Sequence, residues 1–259
     1  MILKKSYLCL VLLLTFSLPV SAQFPTVLIE EIEPIEHSPL RLPNGDLNIS
    51  GFWITPGGLL DVYHGPSGVS SVPPGTERNV RRIRTDIPEM NSPYAEMYLD
   101  AVENPVDRGL LCLHAGLPAM MGGVYGLEIL QSFGVIAITS EWGPYTRRIW
   151  MNEEHPPVDE INPTFAGHSV GHWEGDTLVV DTIGLHEDYP LHNSGIPHSA
   201  NTRIVERFNM PKPGVMVLEI SIIDPEVFVT PWEYSSTFKY EPDFRIQEYV
   251  CTENNRSIE

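Results

Sequence analysis

The sequence predicts a mainly β protein: an antiparallel meander that forms a barrel or strongly curved sheet, with one short helix before it. Three observations carry that prediction. From residue 126 onward, short β-branched and aromatic runs recur, punctuated by turn signals at Phe133-Gly134, 211–214 and Glu241-Pro242-Asp243. No helical period is visible after residue 103. The stretch 167–183 reads as two strands around a tight turn at 174–177, because Gly175 and Asp176 tolerate the positive φ that hairpin connections demand.

Taken in order, the chain begins with Lys4 and Lys5, an apolar run over residues 8–20 and the small residues Ser21 and Ala22. This is the pattern of a secretory signal peptide, residues 1–22, cleaved after Ala22. The apolar run is shorter than the ~20 residues of a membrane-spanning helix. Residues 23–48 carry Pro25, Pro34, Pro39 and Pro43 among glutamates and read as an extended arm. Residues 49–259 read as a single β-rich domain. A first strand is expected over 46–55, then a long loop over 56–92 rich in Gly, Pro and Ser. Ser92 is expected to cap a helix over about 93–102, with Pro93 at its first position. Strands then follow at 126–132, 134–141, 147–152, 166–173, 177–184, 202–209, 215–223, 230–240 and 245–251.

The formal charge is −18, and loss of Lys4 and Lys5 takes it to −20. The only dense basic patch is Arg78, Arg81, Arg82 and Arg84, so nucleic acid is a poor partner. Of three cysteines, Cys9 leaves with the signal peptide. In an oxidising compartment Cys112 and Cys251 are expected to pair, in preference to two separately buried thiols.

The hairpin register is legible. With Gly175-Asp176 as the two-residue loop, Glu174 faces Thr177, His172 faces Val179, Val170 faces Asp181 and His168 faces Ile183. His168, His172, Glu174 and Asp181 then share one face; Ser169, Trp173, Leu178, Val180 and Thr182 share the other, which reads as core. The titratable face fits either a ligand cavity inside a barrel or a solvated outer wall.

Gly167-His168-Ser169-Val170-Gly171 matches G-x-S-x-G. The motif needs a strand, a strained turn and a helix to present a nucleophile, and here a β-branched strand follows, so Ser169 is a poor nucleophile. His168 and His172 lie roughly 13 Å apart on a strand, too far to share one metal. His186, His192 and His198 lie in a loop that brings them together for a divalent ion only if it folds back, and their spacing matches no zinc signature. His198, set in Pro197-His198-Ser199, is a candidate acid–base group near neutral pH. With a carboxylate such as Glu206 or Asp181 and an arginine such as Arg148, it would move a proton and stabilise an anion. The competing reading of Arg148, Glu206 and Arg207 is a cross-strand salt bridge.

Several of these blocks together resemble a large, mostly uncharacterised family of secreted bacterial proteins. The similarity runs through Cys112-x-x-x-Gly116-x-Pro118, Arg147-Arg148-Ile149 and the Gly167–Thr182 stretch with its Trp173-Glu174-Gly175-Asp176-Thr177 block. It continues through Pro197-His198-Ser199, Val205-Glu206-Arg207-Phe208, Asp224-Pro225, Pro231-Trp232 and Glu248-Tyr249-Val250-Cys251, covering roughly residues 45–255. His114 stands where the family pattern has Pro. The resemblance implies a secreted, β-rich protein and no particular activity.

The expected architecture is a lipocalin-like barrel, and barrels of about eight strands hold one small ligand. Two functions fit. One is a periplasmic enzyme acting on a small, largely apolar molecule by cofactor-free acid–base chemistry, with His198, His168, His172, Asp181, Glu206 and Arg148 as its catalytic set. The other is a non-catalytic protein that binds such a molecule, with Trp53, Glu174 and Trp232 in contact with it. A metal-dependent or serine hydrolase is a third class.

Overall fold

The computed structural model describes residues 29, 32–38, 40–55, 87–104, 106, 111–113, 116–121, 126–141, 145–192, 194–248 and 250–253. The expected signal peptide, the start of the arm, residues 56–86 with their arginines, and His114 lie outside these residues.

Nine strands close into a barrel in sequence order. They are β1 (Gly51–Ile54), β2 (Leu127–Ser132), β3 (Val135–Ser140), β4 (Tyr145–Met151), β5 (His168–Glu174), β6 (Thr177–Ile183), β7 (Arg203–Lys212), β8 (Val215–Ile223) and β9 (Trp232–Tyr240). Among the described residues the fold is mainly β with one short α-helix, α1 (Tyr94–Glu103), as the sequence predicts. No described helix is long and apolar enough to cross a membrane.

One pair breaks the expected meander. β4 and β5 run parallel, with Ile149 opposite Ser169 and Met151 opposite Gly171. Parity requires such a pair. Strand direction must return to itself around a closed ring, so the number of antiparallel neighbours is even, and nine strands leave at least one parallel seam. A parallel seam needs a crossover of a dozen or more residues. Residues 152–167 supply it.

The β5–β6 register is the one read from the sequence, from His168 opposite Ile183 to Glu174 opposite Thr177. Inward positions alternate along each strand. Trp53, Ile129, Ile138, Ile149, Leu178, Val180, Phe208 and Phe238 are among the buried side chains that fill the core.

Two ends follow from the connections. At the hairpin end lie the tight turns 133–134, 175–176 and 213–214, where Gly134, Gly175 and Gly214 all take positive φ. The arm crosses this end. The Ile35 amide donates to the Pro213 carbonyl, 3.2 Å, His37 Nε2 lies 2.7 Å from the Ser50 carbonyl oxygen, and Arg41 pairs with Asp176 at 2.8 Å. At the loop end, the longer connections 184–202 and 224–231 meet α1 and the buried Leu117, Met120 and Met121.

Three expectations are corrected. The strand expected over 245–251 does not form: residues 244–248 are irregular, and Phe244 stacks on Phe52 at 4.3 Å. β1 and β9 already pair and close the barrel, so no free edge is left to accept another strand. The first strand is only Gly51–Ile54. Pro93 occupies the N-cap of α1, and Ser92 Oγ donates to the Glu96 carboxylate at 3.0 Å instead of capping a backbone amide. Cys112 and Cys251 do form a disulfide, with Cα atoms 5.6 Å apart across 139 residues. It ties the C-terminal segment to the chain before β2 rather than fastening a strand.

Candidate functional site

Four successive strands build a polar cluster in the barrel interior. Arg147 of β4 points inward, 2 % exposed. Its Nε donates to Ser169 Oγ of β5 at 3.1 Å, and Nη2 donates to Thr182 Oγ1 of β6 at 2.9 Å. Nη1 donates to Glu206 Oε1 of β7 at 2.9 Å, and Nη2 also contacts Glu206 Oε2. Ser169 and Thr182 hydroxyls sit 2.8 Å apart. The guanidinium thus spans the parallel seam and holds four strands in register. A bidentate carboxylate partner is what makes such burial tolerable.

This corrects the arginine. Arg148, expected to serve a proton-transfer site, is exposed on the outer wall, and its neighbour Arg147 is the buried one. Two adjacent arginines carry no signal of their own about which faces in. Ile149 does, since it must share the buried face with the residue two before it.

The G-x-S-x-G match has a packing explanation. Gly167 has φ +66°, and a Cβ there would lie 2.6 Å from the Ile183 carbonyl oxygen. At Gly171 a Cβ would lie 2.7 Å from Ile149 Cγ2, across the parallel seam. Gly167 admits a backbone carbonyl and Gly171 a side-chain methyl, and Ser169 between them belongs to the buried network rather than to an exposed turn. Gly167→Ala is expected to lower stability by ~1–3 kcal/mol through left-handed strain and overlap. A denaturation midpoint unchanged from the parent would refute that account.

The titratable face of the hairpin is the outer wall. His172, 56 % exposed, lies 3.3 Å from Glu174, and Arg207 donates to the same carboxylate at 2.7 Å. These contacts, Arg207 first, hold the Glu174 carboxyl below its usual range. Arg203 grips Asp181 through two bonds of 2.7 Å, which raises the arginine's already high pKa. His168 meets a residue the sequence did not single out, His155 of the crossover, at 2.9 Å between the two Nδ1 atoms. Burial, the largest influence, holds the His155 pKa below its ordinary value.

The loop-end histidines are structural contacts. His198 is buried with Nδ1 2.9 Å from the Ser199 carbonyl oxygen and Nε2 2.9 Å from that of Tyr189. The His192 Nδ1 accepts the Ser194 amide at 3.0 Å. His186 packs beside Phe165. The three rings do not converge, and no group of three His, Cys, Asp or Glu among the described residues could hold a metal ion. Beside them Asp224, 2 % exposed, accepts the Ser199 amide and hydroxyl and the Thr202 hydroxyl, which fastens the 196–202 loop to the end of β8.

The expected catalytic set is therefore dispersed. Glu206 is inside the barrel, Asp181, His168, His172 and Arg148 are on its outer wall, and His198 is in a loop. Trp53 and Trp232, expected to touch a ligand, are packed in the core at 0 % and 1 % exposure; the Trp53 indole donates to the Ile49 carbonyl at 2.9 Å.

Space for a ligand lies elsewhere. At the hairpin end a half-open cleft of about 470 Å³ runs between the arm turn and the barrel rim. The arm turn lines it with Leu42, Pro43, Asn44 and Asp46, and the barrel rim with Gln131, Ser132, Phe133, Gly134, Ile136, Met151, Asn152 and Trp173. Phe133 at its lip is 97 % exposed. These residues come from four separate stretches of chain, so no local motif announces them.

Comparison of the chain with models of known protein families gives no match, and comparison with curated proteins likewise returns no relative.

Proposed function

We propose that this is a secreted, non-catalytic binding protein of the β-rich bacterial family it resembles, and that it holds one small, largely apolar molecule in the hairpin-end cleft. The cleft itself carries this reading: its volume falls in the range typical of small-molecule sites, and aromatic and thioether side chains flank a few amide and carboxylate groups. The dispersal of the acid–base groups favours binding over catalysis, because proton transfer needs its partners within hydrogen-bond reach of one substrate. Buried side chains occupy the barrel core, and the cleft lies at the rim, against the arm.

The test is titration with N-phenyl-1-naphthylamine, a neutral apolar fluorophore, followed by dye emission and by quenching of Trp173. Ser132→Trp, an exposed position at the end of β2, would fill the cleft without touching the core. Saturable one-to-one binding that weakens at least ~10-fold in Ser132→Trp, about 1.4 kcal/mol, is the expected result. Absence of saturable binding in the parent protein, or equal affinity in the variant, would overturn the assignment.

A further inference from the structure

The crossover 152–167 returns along the outside of the barrel, and its grip on the wall includes one unusual contact. His155 Nδ1 and His168 Nδ1 are 2.9 Å apart. The ring centres are 5.1 Å apart with planes at 62°, so the two nitrogens face each other close to the line joining the rings. That is the geometry of an N–H···N hydrogen bond, which needs one protonated and one bare nitrogen. It does not suit a shared metal, toward which both lone pairs would converge at an angle.

The surroundings set the tautomers. His155 Nε2 lies 3.6 Å from Asp181 Oδ2, so a proton on Nε2 faces the carboxylate. His155 then accepts through Nδ1, and His168 donates from its own Nδ1. A proton added at the far nitrogen of His168 leaves the bond intact. A second must take the Nδ1 lone pair of His155, and the bond becomes two N–H groups facing each other.

We propose that this pair is a pH-sensitive latch, which holds the start of the β4–β5 crossover on the outer wall and releases it when both rings are protonated. The charged groups facing it are few. β5 contributes His168, β6 contributes Asp181, and β7 contributes Arg203, whose two bonds to Asp181 draw off much of the carboxylate's charge. On the crossover itself Glu153 and Glu154 are exposed to solvent. His155 is half-buried, and burial, only partly opposed by Asp181, favours its neutral form.

The sign follows from proton counting. The latched state accommodates one proton and the released state two, so acid favours release. The effect begins as pH falls below about 6.5, the ordinary histidine value, and is bounded at about tenfold in the release equilibrium per pH unit. The latch is a contact of the outer wall and does not depend on the cleft being a ligand site.

The experiment is cleavage by a glutamyl endopeptidase at Glu153 and Glu154 of the intact chain between pH 7.5 and 5. Each rate is divided by that for a free peptide of residues 150–160 at the same pH, which removes the pH dependence of the protease. The expected ratio is flat above pH 7 and rises severalfold by pH 5.5. His155→Asn keeps an amide oxygen as acceptor for the His168 Nδ1–H but cannot take the second proton, and should flatten the rise. Asp181→Asn removes the charge that favours a proton on His155 in the latched state, so the rise should grow with its onset unmoved. A flat ratio in the parent protein, or an unchanged rise in His155→Asn with an unchanged melting temperature, would overturn the proposal. If His155→Asn misfolds, Asp181→Asn decides it: a smaller or unchanged rise would overturn the proposal.

Discussion

Glu206→Ala is expected to cost ~3–5 kcal/mol of folding stability, because it strands the Arg147 guanidinium in a dry interior. The pair is sealed from solvent, with side-chain exposures of 1 % for Arg147 and 0 % for Glu206. Water cannot replace the lost carboxylate. At ~2–4 °C per kcal/mol for a domain of this size, the melting temperature should fall by roughly 10 °C. Arg147→Lys should also be costly, since an ammonium cannot reach Ser169, Thr182 and both Glu206 oxygens as the fork does. The double replacement Arg147→Met with Glu206→Leu removes both charges, and it should recover most of the loss. The measurement is a denaturant midpoint for each protein. If Glu206→Ala alone shifted stability by less than ~1 kcal/mol, the cluster would have to be open to water, and its interior placement would be wrong.

Removal of the Cys112–Cys251 disulfide should cost ~3–5 kcal/mol, mostly by freeing the unfolded chain, since the bridge closes a very long loop. The sequence separation is 139 residues. The bond also has a local effect. Beyond β9 no further strand forms among the described residues, and the tail is fastened by Phe244 against Phe52 and by this bond. Cys112→Ser with Cys251→Ser should therefore lower the denaturant midpoint and make the tail more readily trimmed by protease, with the barrel intact at room temperature. A midpoint equal to that of the parent would mean the bridge does not form in the folded protein.

Much of this architecture is written locally. Strand positions, the turn at 175–176 and the register of β5 on β6 all rest on a two-residue side-chain period and on glycine in turns, and a single segment carries both. The grouping of His168, His172, Glu174 and Asp181 on one face, opposite Ser169, Val180 and Thr182, was legible for the same reason. So was the choice of Cys112 and Cys251 as partners, since only two cysteines follow the leader-like segment.

What no segment carries alone is sidedness and closure. Whether the histidine face looked into a cavity or out to water depended on how the sheet curled, and it curled with that face outward. Arg147 and Arg148 differ only in parity, so the filled interior chose between them. The number of strands forced the parallel seam, and the seam explains Gly171, against which Ile149 packs, while Gly167 answers to Ile183 on the other side. The hairpin-end cleft and the His155–His168 contact each join residues far apart in the chain. Sequence period thus determined the strands and their faces, while barrel closure, a property of the whole ring, decided which face is buried and which distant groups meet.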